Sequence, residues 1–245
     1  MKSRFALVAI AVALAGCGQG TGGDSSAPTA PVAATAPPAG RSWTETVSVT
    51  PEGGYVMGNP DAPIKLVEYG ARTCPTCGAF SRAAATPLEQ QYVASGKVSF
   101  EFRDFLVHGA PDLAAALLGQ CGGEATFFPI LDQMYANQDA YLDRLQQAGP
   151  AFQERLNAMA PGQAIAALGE QMGLIDFVQQ RGIPESRARA CLADTAAQDR
   201  LVKLTQEAQA GGTVTGTPTF LLNGEPLQNT VSWQDVEAAL KRAGA

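Results

Sequence analysis

Cys74-Pro75-Thr76-Cys77 is the segment whose residue types and spacing carry the clearest chemistry. Two cysteines with two residues between them fit a reversible disulfide, half of a tetrahedral zinc site, or a short structural bridge. No second Cys/His cluster is present to complete a zinc site, because the chain holds one histidine, His108. A His-based metal site or a Ser–His relay would rest on that residue alone, and its position suits a surface or capping role better. Thiol–disulfide exchange needs a thiolate that attacks a disulfide sulfur. A free cysteine has a pKa of about 8.5, so the pair needs an element that stabilises an anion.

The flanking sequence supplies one. Ile64 to Tyr69 reads as a strand, with Ile64, Leu66 and Glu68 on one face and Lys65, Val67 and Tyr69 on the other. After the loop Gly70 to Thr73, Cys74 opens a helix that runs to about Ser95, with Pro75 in its first turn and a kink expected at Pro87. At a helix N-terminus the dipole and unpaired N–H groups lower a thiol pKa to about 3.5–7.5. Cys74 is therefore read as the exposed nucleophile, and Cys77, one turn in, as the buried resolving thiol. Glu68 shares a face with Ile64 and Leu66, so burial is expected. A buried carboxyl has a raised pKa and can pass a proton to Cys77; a partly exposed strand Glu is the alternative.

Val98 to Phe105 reads as a second strand. From about Gly109 to Leu201, Ala, Leu and Gln dominate, and several helices fit between Gly/Pro breaks; Ser186 to about Ala210 fits one helix or two. Strand character returns at Thr217 to Leu222, Asn223-Gly224 is a hairpin signal, and Ser232 to Asp235 looks like a helix cap.

The start of the chain reads as an export signal, with Lys2 and Arg4 before the apolar run Phe5 to Ala15. Leu14-Ala15-Gly16-Cys17 resembles the lipobox of bacterial lipoproteins, which implies acylation of Cys17 and an anchor in a membrane. The Gly, Ser, Thr, Ala and Pro that follow to about Ser42 suggest a flexible tether. Loss of Lys2 and Arg4 with the signal removes two positive charges and takes the formal charge from −6 to −8. That acidic balance argues against nucleic acid as a partner. With Cys17 lipidated, four cysteines remain in an exported chain, where disulfides form. Cys121 and Cys191 both fall in the helical block and are read as a structural disulfide; two buried thiols or a second redox relay are the alternatives.

Taken together, the chain resembles the DsbA-like branch of the thioredoxin fold. Cys74-Pro75-Thr76-Cys77, Gly58-Asn59-Pro60-Asp61-Ala62-Pro63 through Val67-Glu68-Tyr69, Gly96-Lys97-Val98 to Arg103-Asp104-Phe105, and Gly216-Thr217-Pro218-Thr219-Phe220 with Asn223-Gly224 carry the match. The resemblance implies an α/β thioredoxin fold over 46–108 and 204–245, with a helical domain inserted at 109–203, after a signal at 1–17 and a tether at 18–45. It implies a cis peptide bond before Pro218, facing the redox pair, with the Thr217 backbone open to a substrate chain. It also places an acidic residue under the active site, which Glu68 matches. Many DsbA-like oxidases carry His where this chain has Thr76; Thr adds no positive charge, so a less depressed Cys74 pKa and a less oxidising couple are expected. The activity implied is disulfide exchange with exported cysteine-containing proteins, without a cofactor and with a membrane redox partner, on the periplasmic side of the envelope. Oxidase is the first reading. Isomerase, dedicated reductase and a non-catalytic peptide-binding module are the others. No dimerisation domain is visible in the sequence, so a monomer is expected.

Overall fold

The computed structural model describes residues 30–245. The signal, Cys17 and the first part of the expected tether lie outside the described residues. A six-stranded sheet runs in the order β1-β2-β4-β3-β5-β6. Its centre is β3 (Ile64–Gly70) paired in parallel with β4 (Val98–Asp104), from Ile64 opposite Val98 to Gly70 opposite Asp104. A parallel pair needs a crossover. Here it is α1 (Pro75–Pro87) followed by a π-helical segment, Leu88–Val93. Pro87 cannot donate to the helical ladder, and the widened turn begins directly after it.

β5 (Thr219–Leu222) pairs antiparallel with β3, and β6 (Glu225–Pro226) returns along it. The turn between them puts Asn223 and Gly224 at positive φ, as a two-residue hairpin loop requires. Asn223 also pins the turn to the sheet, its carboxamide oxygen accepting the Lys65 N–H at 2.8 Å. A hairpin of β1 (Val47–Val49) and β2 (Tyr55–Gly58) completes the other edge. These strands are too short to show alternation in sequence. The expected tether over 18–45 is correspondingly shorter: Val32 bonds Gly244, Thr35 bonds Ser95, and Trp43 is buried. The apolar area of Trp43 is enough to dock a segment whose composition otherwise reads as linker.

Between β4 and β5 lie eight helices: α2 (Ala110–Gln120), α3 (Phe127–Ala136), α4 (Gln138–Gln147), α5 (Gly149–Ala158), α6 (Pro161–Gln171), α7 (Leu174–Gln179), α8 (Glu185–Ala193) and α9 (Thr195–Ala210). The uncertain stretch from Ser186 is thus two helices, separated at Asp194, which caps α9 through the Ala197 N–H at 3.0 Å. α10 (Trp233–Arg242) closes the chain, with Ser232 as its cap.

Two cores result. One joins the sheet to α1 and α10 through Leu66, Phe80, Phe100, Phe220, Trp233 and Leu240. The other lies among the inserted helices, around Leu117, Leu118, Ile165, Leu168 and Leu192. α3 is the seam: Phe127, Phe128, Leu131 and Tyr135 enter the sheet core, while Ile130 and Met134 enter the helical core. The architecture is therefore a thioredoxin fold carrying a helical insertion.

Candidate active site

Cys74 is the N-cap of α1, with extended backbone angles and Pro75 behind it. Its Sγ accepts the Cys77 N–H at 3.4 Å, so the sulfur itself occupies the anion position that a capping oxygen would take. On the other side the peptide bond between Thr217 and Pro218 is cis, and the Thr217 carbonyl accepts from Cys74 Sγ at 3.4 Å. That loop covers the sulfur more than expected for an exposed nucleophile: Cys74 is 6% exposed and Cys77 is 0%. The two are free thiols.

Electrostatics separate the pair. The Cys74 thiol is pushed down to about 5, chiefly by a hydrogen bond from the Cys77 side chain. Burial opposes this, and the Thr217 side chain and the N–H groups of Cys77 and Thr76 reinforce it. The Thr217 hydroxyl has no other partner among the described residues, so it is free to donate to an ionised sulfur. The Thr76 side chain points to solvent, and its contribution is its backbone N–H. Burial pushes the Cys77 thiol far up, helped by its bond to Cys74 and by the charge of Glu68. One sulfur is held as a thiolate and the other as a thiol, which is the division that exchange requires.

Glu68 lies opposite Phe102 and Phe220 in the sheet and is 2% exposed. Burial raises its carboxyl well above the ordinary range, and the Cys74 charge adds to this. Its Oε1 has no hydrogen-bond partner among the described residues. A protonated carboxyl below Cys77 is placed to give that sulfur a proton.

The loop before Cys74 is built by residues that sequence reasoning did not single out. Arg72 is 0% exposed and forms a two-pronged bond with Asp104 at 2.8 and 3.1 Å. Its guanidinium lies over the rings of Phe102 and Phe127. The Gln138 amide donates to the Arg72 and Cys74 carbonyls at 3.0 and 2.8 Å, and the Tyr141 hydroxyl donates to the Arg72 carbonyl. The inserted helices thus hold the loop that leads into Cys74 by its backbone. Gly78 makes room for this: a Cβ there would stand 2.2 Å from Gln138 Oε1. Asp112 takes the Thr73 N–H at 3.0 Å and its hydroxyl at 2.6 Å, while His108 Nδ1 lies 2.7 Å from the same hydroxyl. His108 is half exposed and lies at the rim of the loop, not at the sulfurs. None of these residues follows a motif spacing, and only Asp112, directly before the apolar run Leu113 to Leu118, stands out in the sequence.

Cys121 and Cys191 form a disulfide with Cα atoms 5.8 Å apart, tying the end of α2 to α8. Among the described residues no group of His, Cys, Asp and Glu is arranged to hold a metal ion, and no helix is long and apolar enough to cross a membrane.

A CxxC pair at the head of α1, opposite a cis-proline loop on the same sheet, defines a thioredoxin-type redox site. Residues 50–242 match the thioredoxin family model, and the chain belongs to that family. Its fold is of the DsbA-like type: it superposes on α-DsbA1 of Wolbachia pipientis with a TM-score of 0.63 at 18% identity, covering 80% of this chain and 93% of that one. A structure described as a protein-disulfide isomerase from Novosphingobium aromaticivorans gives 0.72 at 28% identity, covering 76% and 94%. A candidate protein-disulfide oxidoreductase of Rickettsia bellii is 26% identical over 193 residues, which is 78% of this chain. The chain spans 65% of the length of that relative.

Proposed function

We propose that the chain is a thiol–disulfide oxidoreductase that donates its Cys74–Cys77 disulfide to exported proteins. The observation that carries this is the Cys74 sulfur seated at the head of α1, 3.4 Å from both the Cys77 N–H and the Thr217 carbonyl. A substrate thiolate attacks Cys74, the bond to Cys77 breaks, and Cys77 leaves with its electron pair and takes a proton from Glu68. The second substrate thiolate then attacks its partner sulfur in the mixed disulfide, and Cys74 leaves as a stabilised thiolate. A low Cys74 pKa favours the reduced enzyme and therefore makes its disulfide oxidising. Pro218 and Thr217 present backbone to the substrate chain, as an edge for strand-like pairing.

Equilibration of the purified protein against glutathione tests the direction. A potential near about −120 mV supports an oxidase, and one near about −270 mV a reductase. The isomerase description of the Novosphingobium structure favours a second reading, which refolding of a scrambled disulfide substrate separates from net oxidation. Loss of exchange with retained peptide binding in Cys74→Ser assigns the chemistry to the sulfur. The lipobox-like segment ending in Cys17 and the disulfide between Cys121 and Cys191 support a place in the cell envelope, lipid-anchored on the periplasmic side. Cys17→Ala should then release the protein from membranes and abolish acyl labelling.

A further inference from the structure

Proton supply to Glu68 is a problem the site itself does not solve. The carboxyl lies beneath the sulfurs, buried on β3, yet each turnover that protonates Cys77 leaves Glu68 charged and requires a proton from outside. One face of Glu68 opens on a cavity of about 20 Å³, walled by Phe80 of α1 and Leu131 of α3. That volume admits a single water. Two more carboxyls line the same cavity, Glu89 on the π-helical segment and Asp132 on α3. Both residues are half-buried, between the cavity and the surface. The two carboxyls adjoin closely enough for each to shift the other's titration, so they take up and release a proton as a pair. Glu68, whose Oε1 is buried without a partner among the described residues, lines this cavity.

We propose that the Glu89–Asp132 pair is the proton port through which Glu68 exchanges protons with solvent during turnover. The inference rests on the reading of Glu68 as the proton donor to Cys77. As the bond between Cys74 and Cys77 breaks, the incoming thiolate joins Cys74, and the electron pair goes to the Cys77 sulfur. The Glu68 proton lands on that sulfur. A water in the cavity then passes a proton from the carboxyl pair to Glu68, and the pair refills from solvent. In the reverse direction the same groups carry the proton out. Burial and its neighbour push Asp132 up to about 7, so the pair holds a proton at neutral pH and can also accept one. The other titratable groups around the cavity do not compete for this role. Tyr135 is buried and its hydroxyl is bonded to the Ala71 carbonyl, Arg82 of α1 donates to the Tyr135 carbonyl, and Arg72 is neutralised by Asp104. The widened turn after Pro87 carries Glu89 to the pair, a use in keeping with π-segments at functional sites.

The test is the rapid-quench rate at which a dithiol peptide reduces the oxidised full-length protein, measured against pH and buffer concentration. Glu68→Gln should slow this step by about 100-fold. The double variant Glu89→Gln with Asp132→Asn should slow it by about tenfold, most at high pH. Small buffer acids should restore the double variant in proportion to their concentration, which a merely structural defect would not allow. The Cys74 thiolate midpoint should stay in place. Should Asp132→Asn fail to fold, Glu89→Gln alone carries the same prediction. A slow Glu68→Gln beside a double variant with wild-type rate and no buffer dependence overturns the port and leaves the Glu68 role standing. A wild-type rate in Glu68→Gln overturns both.

Discussion

Replacing Cys77 separates the two sources of Cys74 acidity. The largest influence holding Cys74 down to about 5 is the hydrogen bond from the Cys77 side chain, while the N–H at 3.4 Å belongs to the backbone and survives any substitution. Cys77→Ala removes the side-chain donor, and Cys77→Ser keeps one. A hydrogen bond to a charged acceptor contributes about 1.5–3 kcal/mol. That equals about one to two pKa units, so Cys77→Ala should move the midpoint to about 6–7. Cys77→Ser should stay closer to the native value. The assay is the rate of iodoacetamide alkylation, or thiolate absorbance, against pH. Stability gives a second readout. The folded pKa lies below the unfolded one, so the thiolate's contribution to the reduced protein is fully present above about 8.5 and is lost as pH falls through about 5. Unscreened, the gap of about 3.5 between about 8.5 and about 5 corresponds to about 5 kcal/mol, and solvent at the edge of the sulfur reduces this to about 2–3 kcal/mol. Denaturant titration of reduced Cys77→Ala should show a shallower rise over that window. A Cys77→Ala midpoint unchanged from native would refute the Cys77 side-chain contribution and leave the helix terminus and the Thr217 hydroxyl as the causes. A native midpoint near about 8.5 would refute the activated thiol altogether.

Asp104→Asn strands the buried Arg72 charge and should cost about 3–5 kcal/mol by chemical denaturation. In Gly78→Ala the new methyl displaces Gln138 from the Arg72 and Cys74 carbonyls; the loss of stability should be about 1–3 kcal/mol, with slower alkylation of Cys74. Cys121→Ser with Cys191→Ser opens a link across 70 residues and should cost about 2–4 kcal/mol in denaturant, with the potential of the Cys74–Cys77 couple unchanged. A shifted potential would instead couple the second disulfide to the active site.

What the sequence reveals of this site is what local rules specify. Pro75 after Cys74 marks a first helical turn, and Asn223-Gly224 marks a hairpin, because each reports a backbone constraint carried by the residue itself. Glu68 is legible by its period-two place among Ile64 and Leu66. The clamp of Gln138 and Tyr141 on the loop is not, since its partners are carbonyls 64 to 69 residues away. The Arg72–Asp104 pair is hidden for the same reason, as a charge in a loop reads as solvated until α3 is folded over it. The docking of Trp43 and the cover over Cys74 also depend on segments that meet only in the folded chain.

The asymmetry of the two sulfurs follows from where donors and charges sit, since both thiols are deeply covered and burial alone would raise both. Four donors point at Cys74, two backbone N–H groups, the Cys77 thiol and the Thr217 hydroxyl, while Cys77 receives the backbone N–H of Ala71. The carboxyl lies on the side of Cys77. Thr76 removes the positive charge that a histidine would bring, and the remaining donors still hold the thiol at about 5. A site of this kind depends on fixed geometry more than on charge. That accounts for the clamp that Gln138 and Tyr141 place on the Arg72 and Cys74 carbonyls: a sulfur stabilised by long, weak N–H and O–H contacts keeps its anion only while the backbone that aims those contacts cannot relax.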